Sequence, residues 1–188
     1  MLIMKIKLLI LSIGALLAAS GTALANVALA PLFCDGAVLQ RDKPLPVWGL
    51  AAPGETVQVW FHAQSAEATA APDGRWQVTL APEKTSTQPS ERVVTGENTV
   101  RVRDVLVGDV WLCSGQSNME FNVARAQNAA QEMAAADYPF IRQFKVAHAA
   151  DERPAGSAEG SWVSCSPATV GDFSAVAYFF ARDLYAEQ

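Results

Sequence analysis

Apolar positions follow three different rhythms along this 188-residue chain. Lys5 and Lys7 precede an apolar run from Leu8 to Ala19, too short to cross a bilayer comfortably. Ala23-Leu24-Ala25 then supplies the small residues a signal peptidase reads. Residues 1–25 are therefore predicted to be a secretory signal, cleaved before Asn26, rather than an uncleaved membrane anchor. The mature protein is expected in the periplasm or outside the cell.

From Asn26 to Asp104 the rhythm is alternation over short stretches: Val57 and Val59 before Trp60, then Trp76, Val78 and Leu80, then Val100 and Val102. Turn signals separate them at Pro44, Pro46, Pro53-Gly54, Pro72-Asp73-Gly74 and the polar stretch Thr85 to Ser90. Short strands joined by turns predict a β-sandwich domain over residues 26–104. Trp48, Trp60 and Trp76 could offer sugar-stacking rings, but residues within strand patterns favour core packing.

After Asp104 the apolar, β-branched run Val105 to Cys113 predicts a strand buried on both faces of a parallel sheet. Small and polar residues, Ser114-Gly115-Gln116-Ser117-Asn118, follow it. Val123 to Ala136, rich in Ala, Gln and Glu, predicts a helix stopped by Pro139. Phe140 to His148 reads as a second strand, Asp151 to Gly171 as a long loop, and the chain from Phe173 as a helix. Phe173, Val176, Ala177, Phe180, Ala181 and Leu184 would form that helix's core face. Strand, helix, strand, loop, helix is the opening of an α/β sheet.

Composition narrows the function classes. The net charge is −5, and cleavage removing Lys5 and Lys7 leaves the mature chain two units more negative. Nucleic-acid binding is excluded because Lys and Arg do not cluster after the signal. The three cysteines, Cys34, Cys113 and Cys165, would meet an oxidising compartment, where Cys113 and Cys165 could pair and one thiol is left over. Their spacing carries no zinc motif, no Gly-rich phosphate loop follows a strand, and neither a metal nor another cofactor is implied.

A serine on a tight turn after a buried strand lies at the carboxyl edge of an open α/β sheet, where ligands bind. Ser117 holds that place, Gly115 permits close backbone packing before it, and the following helix can present N–H groups to a developing oxyanion. The same turn could equally be a plain helix cap formed by Ser117 or Asn118. The extended run from Val107 to Glu120, Val-Gly-Asp-Val-Trp-Leu-Cys-Ser-Gly-Gln-Ser-Asn-Met-Glu, resembles the nucleophile block of the sialate O-acetylesterases. The resemblance continues in Phe33 to Arg41, in Trp76, in Trp162 with Ser166-Pro167-Ala168-Thr169, and in Phe173 to Val176. Ala37 stands where that family usually has Met.

That resemblance implies an SGNH-type (flavodoxin-like) carbohydrate esterase domain starting at residue 105. It also implies an acetylated carbohydrate as substrate, sialic acid or another sugar; from the cleavable signal itself, no membrane association is expected once it is removed. Ser117 would be the nucleophile, its own N–H part of the oxyanion hole, with Gly115, Gln116 and Asn118 shaping the turn. The family's base comes from an Asp-x-x-His pair far downstream, whereas His62 and His148 are the only histidines here and neither stands in such a pair. The chain therefore reads as truncated and inactive by itself, with an exposed strand edge that favours aggregation. A noncatalytic carbohydrate-binding or structural β-sandwich module is the alternative.

Overall fold

The structure, a computed structural model, describes residues 26–148, 152 and 157–187, so the expected signal segment lies outside the described residues. Eight strands form the first unit: β1 (Ala28–Leu29), β2 (Val38–Gln40), β3 (Leu45–Leu50), β4 (Thr56–Phe61), β5 (Gln64–Thr69), β6 (Arg75–Leu80), β7 (Ser86–Thr95) and β8 (Thr99–Gly108). They pair as a three-stranded sheet, β1-β3-β6, and a five-stranded sheet, β2-β8-β7-β4-β5. Every pairing is antiparallel except β2 with β8.

Alternation builds the shared core. Val57, Val59 and Phe61 of β4 point inward, as do Trp76, Val78 and Leu80 of β6 and Leu45 and Val47 of β3, and all are buried. With Phe33, Leu39, Val94, Val102, Val105 and Val107 they make one cluster. Each such side chain contributes roughly 1.5–3 kcal/mol by leaving water. Pro46 is tolerated inside β3 because β1 pairs only with Gly49 and Leu50, leaving an open edge beside it. At Gly49 a side chain would collide with the Ala28 carbonyl, so this position needs glycine.

The inward row of β7 contains one charge. Arg92 is fully buried, its guanidinium lies 4.8 Å from the Phe33 ring centroid, and none of its three side-chain nitrogens has a hydrogen-bond partner among the described residues. Burial pushes its pKa down to about 10, so it stays protonated near neutrality. An isolated buried cation costs more than the ring contact returns. Arg92→Met is expected to raise unfolding free energy by about 1–4 kcal/mol in urea titration; a loss of stability would contradict this.

Several sequence expectations change from Thr85 onward. The polar stretch Thr85 to Ser90 is not a turn region but largely strand, because Ser86 and Ser90 find ladder partners in Val107 and Val105. Val105 to Cys113 is not one buried strand: Val105 to Gly108 end β8 inside the first core, and Asp109 to Gly115 is exposed irregular chain. No ladder partner reaches the latter segment among the described residues, and a strand without a neighbour has nowhere to place its backbone groups. The expected domain boundary after residue 104 falls within β8.

The rest of the chain comprises α1 (Ser117–Glu120), a single turn at Val123–Arg125, α2 (Ala129–Ala135), β9 (Tyr138–Phe144), β10 (Trp162–Cys165), a turn at Val170–Asp172 and α3 (Ala175–Glu187). The helix predicted over Val123 to Ala136 is broken by Asn128, whose φ of +58° lies in the left-handed region. β10 forms inside the predicted long loop and pairs antiparallel with β9, which begins two residues earlier than predicted and takes Pro139 into the strand. Val123, Ala136, Cys165, Val170, Phe173, Ala175 and Tyr178 form a second core.

The face predicted for α3 is only partly right. Phe173 is buried, but Val176 and Phe180 are 49% and 41% exposed, while Ala175 and Tyr178 face the core. The helix carries apolar residues on two stripes, so periodicity could not choose between them.

Arg142 of β9 ties the two units together. Its Nη1 donates to the carbonyls of Gly36 (2.8 Å) and Asp104 (2.5 Å), and its Nη2 to Asp104 Oδ1 at 2.8 Å. Trp162 Nε1 adds a bond to the Leu32 carbonyl at 2.8 Å. Charge-assisted bonds of this kind are worth about 1.5–3 kcal/mol each in favourable settings. Arg142→Ala is expected to destabilise by about 3 kcal/mol and to make β9 and β10 selectively sensitive to protease. Unchanged cleavage kinetics would show that the junction does not depend on this side chain.

Candidate active site

The two longest motifs of the sequence lie side by side. β2, at the end of the Phe33 to Arg41 block, runs parallel to the end of β8, pairing Val38 with Leu106, Leu39 with Val107 and Gln40 with Gly108. Gln40 Oε1 accepts the Val110 N–H at 2.8 Å, the Arg41 N–H donates to the Gly108 carbonyl at 2.9 Å, and Arg41 Nε donates to Asp109 Oδ1 at 2.9 Å. The bond that Arg41 donates to the Asp109 carboxylate, and the charge of that carboxylate, raise the pKa of Arg41. These contacts fix the chain where it leaves the first core and turns toward Ser117. The sequence marks Gln40 and Arg41 only through the family resemblance, and it is the fold that sets them beside the end of β8.

Ser117 opens α1 and is exposed. The Met119 and Glu120 amides donate to the Gln116 carbonyl, and the Phe121 amide donates to Ser117 O. The amides of Ser117 and Asn118 thus stand ahead of the first intrahelical bonds, the usual place for donors that meet negative charge. Gly115 serves close packing rather than an unusual φ: a Cβ there would sit 3.3 Å from Met119 Cβ. Gln116 is the residue preceding the helix, with φ −122° and ψ −143° and no side-chain cap bond, and Asn118 is exposed on the helix itself. The capping role considered for Ser117 or Asn118 is therefore not seen.

The turn is held from behind by the entry to α3. Ala175 N–H donates to Phe121 O at 2.8 Å, Val123 N–H donates to Phe173 O at 3.0 Å, and Asn122 bridges to Ser174. Ser174 N–H in turn donates to Gln143 Oε1 at 3.0 Å, and its hydroxyl lies 3.5 Å from Met119 Sδ. The Phe173 to Val176 motif therefore supports the serine turn from a distance in sequence, which the motif's own residues did not reveal.

Each histidine has a partner other than Ser117. His148 Nε2 lies 3.5 Å from Glu120 Oε1, both side chains largely exposed, and His62 lies in the first unit against Ser90. Cys34, Cys113 and Cys165 are free thiols, so the Cys113–Cys165 pairing is not formed: Cys113 is exposed and Cys165 buried. Burial pushes the Cys165 thiol's pKa up, which keeps it unreactive. Among the described residues no group of His, Cys, Asp and Glu is arranged to hold a metal ion, and no helix is long and apolar enough to cross a membrane. Trp76 is core, as the strand pattern predicts, while Trp48 and Trp60 are only partly buried.

Around the site an apolar surface is open. Trp111 and Leu112 are 61% and 93% exposed, and Trp111 meets Phe180 edge-on with ring centroids 5.2 Å apart. These are the run predicted as a buried strand and the face predicted for α3.

No protein-family profile matches the chain. Sialate O-acetylesterase of Rattus norvegicus is 35% identical over 168 residues, covering 79% of this chain and 31% of the relative. That of Homo sapiens is 32% identical over 171 residues, covering 79% and 32%. A crystal structure of a carbohydrate acetylesterase from Xanthomonas citri superposes with a TM-score of 0.83 at 42% identity, over 86% of this chain and 38% of that one. The chain thus spans about a third of the length of the curated relatives it matches. In sequence the chain is thus similar to sialate O-acetylesterases, and in fold to a carbohydrate acetylesterase.

Proposed function

We propose that this chain is the nucleophile-bearing part of an exported carbohydrate O-acetylesterase, a carboxylic ester hydrolase acting on O-acetyl groups of sialic acid or another sugar. The paired sheets of residues 26–104 are read as a β-sandwich, and residues 105–188 as the opening of an SGNH-type domain. The observation that carries the reading is an exposed Ser117 at the first position of α1, braced by the paired motif blocks, in a chain akin to proteins named acetylesterases. Ser117 Oγ would attack the acetyl carbonyl, the turn amides would hold the oxyanion, and water would release acetate from the acyl-enzyme. Gly115, Gln116 and Asn118 shape that turn.

The base is the element to be supplied. With His148 beside Glu120 and His62 beside Ser90, neither histidine serves Ser117 in this arrangement. Residues 26–188 alone are therefore expected to show no Ser117-dependent turnover. A chimera joining them to the part of the Xanthomonas citri acetylesterase that they do not match is expected to react with a fluorophosphonate at Ser117. A folded chimera that labels anywhere but Ser117 would refute the assignment. Acetate release by residues 26–188 that vanishes in Ser117→Ala would refute their inactivity.

A further inference from the structure

Three side chains distant in sequence meet on the surface of the first unit. His62 Nε2 stands 2.7 Å from Ser90 Oγ, and His62 Nδ1 stands 3.4 Å from Glu83 Oε1. Hydroxyl to imidazole, and the far ring nitrogen to a carboxylate, is the order of contacts that activates a serine. The longer second contact is typical of such groups before a substrate is bound.

The backbone departs from regularity at two of the three. His62 has φ of +51° in the two-residue loop between β4 and β5, a conformation that costs a non-glycine residue energy and that gathers at functional sites. Ser90 sits between two register shifts of β7 against β8, and such irregularities re-aim side chains. The partners are fixed as well. The His62 ring stacks on Phe61, itself buried, with centroids 4.0 Å apart, which sets the imidazole plane. Gln64 Nε2 donates to Glu83 Oε1 at 2.5 Å while Gln64 Oε1 accepts the Ala81 N–H at 2.7 Å, so the carboxylate is held from the strand beside it. The His62 and Glu83 side chains are 33% and 23% exposed, and Ser90 is half-buried, leaving the hydroxyl within reach of a small reagent.

We propose that Ser90, His62 and Glu83 form a second nucleophilic site, independent of Ser117, that accepts an acyl group from small activated esters. With Nδ1–H facing Glu83, His62 Nε2 takes the Ser90 proton as Oγ bonds to the acetyl carbon. The ester C–O bond breaks and the phenolate of an aryl ester leaves. The imidazolium then gives up its proton to solvent. Water, losing a proton to His62, attacks the acetyl-serine, and acetate departs as Ser90 Oγ regains that proton. Ser90 is the nucleophile and His62 the base, while Glu83 is a positioning residue acting through His62.

The test is acid-quenched reaction of the purified protein with 4-nitrophenyl acetate, with the acetylated peptide located by mass spectrometry. Acetyl is expected on Ser90 in the parent protein and in Ser117→Ala, and absent in Ser90→Ala. His62→Asn, chosen because Asn tolerates the positive φ, is expected to lower the acetylation rate constant about a hundredfold. Glu83→Gln is expected to lower the rate constant at saturating ester while the half-saturation concentration and thermal midpoint stay put. Folded protein that gains no acetyl on Ser90, or gains it equally fast in His62→Asn, would reduce the three residues to a pin for the hairpin. Labelling confined to Ser117 would overturn this site and leave the Ser117 reading standing; labelling confined to Ser90 is the expected result and leaves the Ser117 reading to the chimera, where that serine has its base.

Discussion

Ser117→Ala in the chimera should cut acetate release from an O-acetylated sugar by roughly three to six orders of magnitude, with little change in KM. That loss corresponds to about 4–8 kcal/mol of transition-state stabilisation. The argument is that alanine removes only the attacking oxygen. The backbone amides of the turn stay, because the Met119 and Glu120 bonds to the Gln116 carbonyl do not involve the serine side chain. Residual catalysis by those amides and by substrate binding should survive, as it does when serine hydrolases lose their nucleophile. A variant with full activity would mean that another group attacks the acetyl carbon, and Ser90 would be the first to examine. Initial-rate kinetics on one acetylated sugar decide the matter.

Trp76→Ala should cost about 3–5 kcal/mol of unfolding free energy, the largest stability loss expected from a single change in the first core. Trp76 is 3% exposed at the head of an inward row with Val78 and Leu80, and β6 has only β3 beside it in its own sheet. Its removal would leave a cavity between the two sheets that neighbouring side chains cannot fill. Trp76→Phe should cost much less, because the indole Nε1 is buried without a partner and phenylalanine removes that unmet donor along with part of the volume. Urea titration of both variants checks the pair. Equal losses would mean that the phenylalanine ring recovers none of the packing that the indole supplied.

Much of the first unit is legible in the sequence because strand alternation is local. Val57-x-Val59 and Trp76-x-Val78-x-Leu80 name their inward faces without reference to any other element, and the structure buries all five. The Thr85 to Ser90 stretch is different. Its polar residues carry a turn signature, yet Ser86 and Ser90 lie on β7 because β8 is long enough to pair with them. Whether a polar segment becomes strand depends on a partner that local composition does not mention. Asp109 to Cys113 shows the converse: an apolar run with every mark of a buried strand stays exposed where the described residues supply no neighbour.

The candidate site divides along the same line. The small-residue turn around Ser117, and its likeness to a nucleophile block, are properties of contiguous residues, and so the sequence alone picks out Ser117, Gly115, Gln116 and Asn118. That the Phe33 to Arg41 block flanks the same strand end, that Ser174 braces the turn through Met119 and Gln143, and that His62 meets Ser90 and Glu83 are decisions of the tertiary fold. Those residues lie tens of positions apart, and no periodicity links them. The chemistry of each side chain is written in the sequence, but hydrogen bonds and proton transfers act over about 3 Å, and only packing brings distant residues within that range.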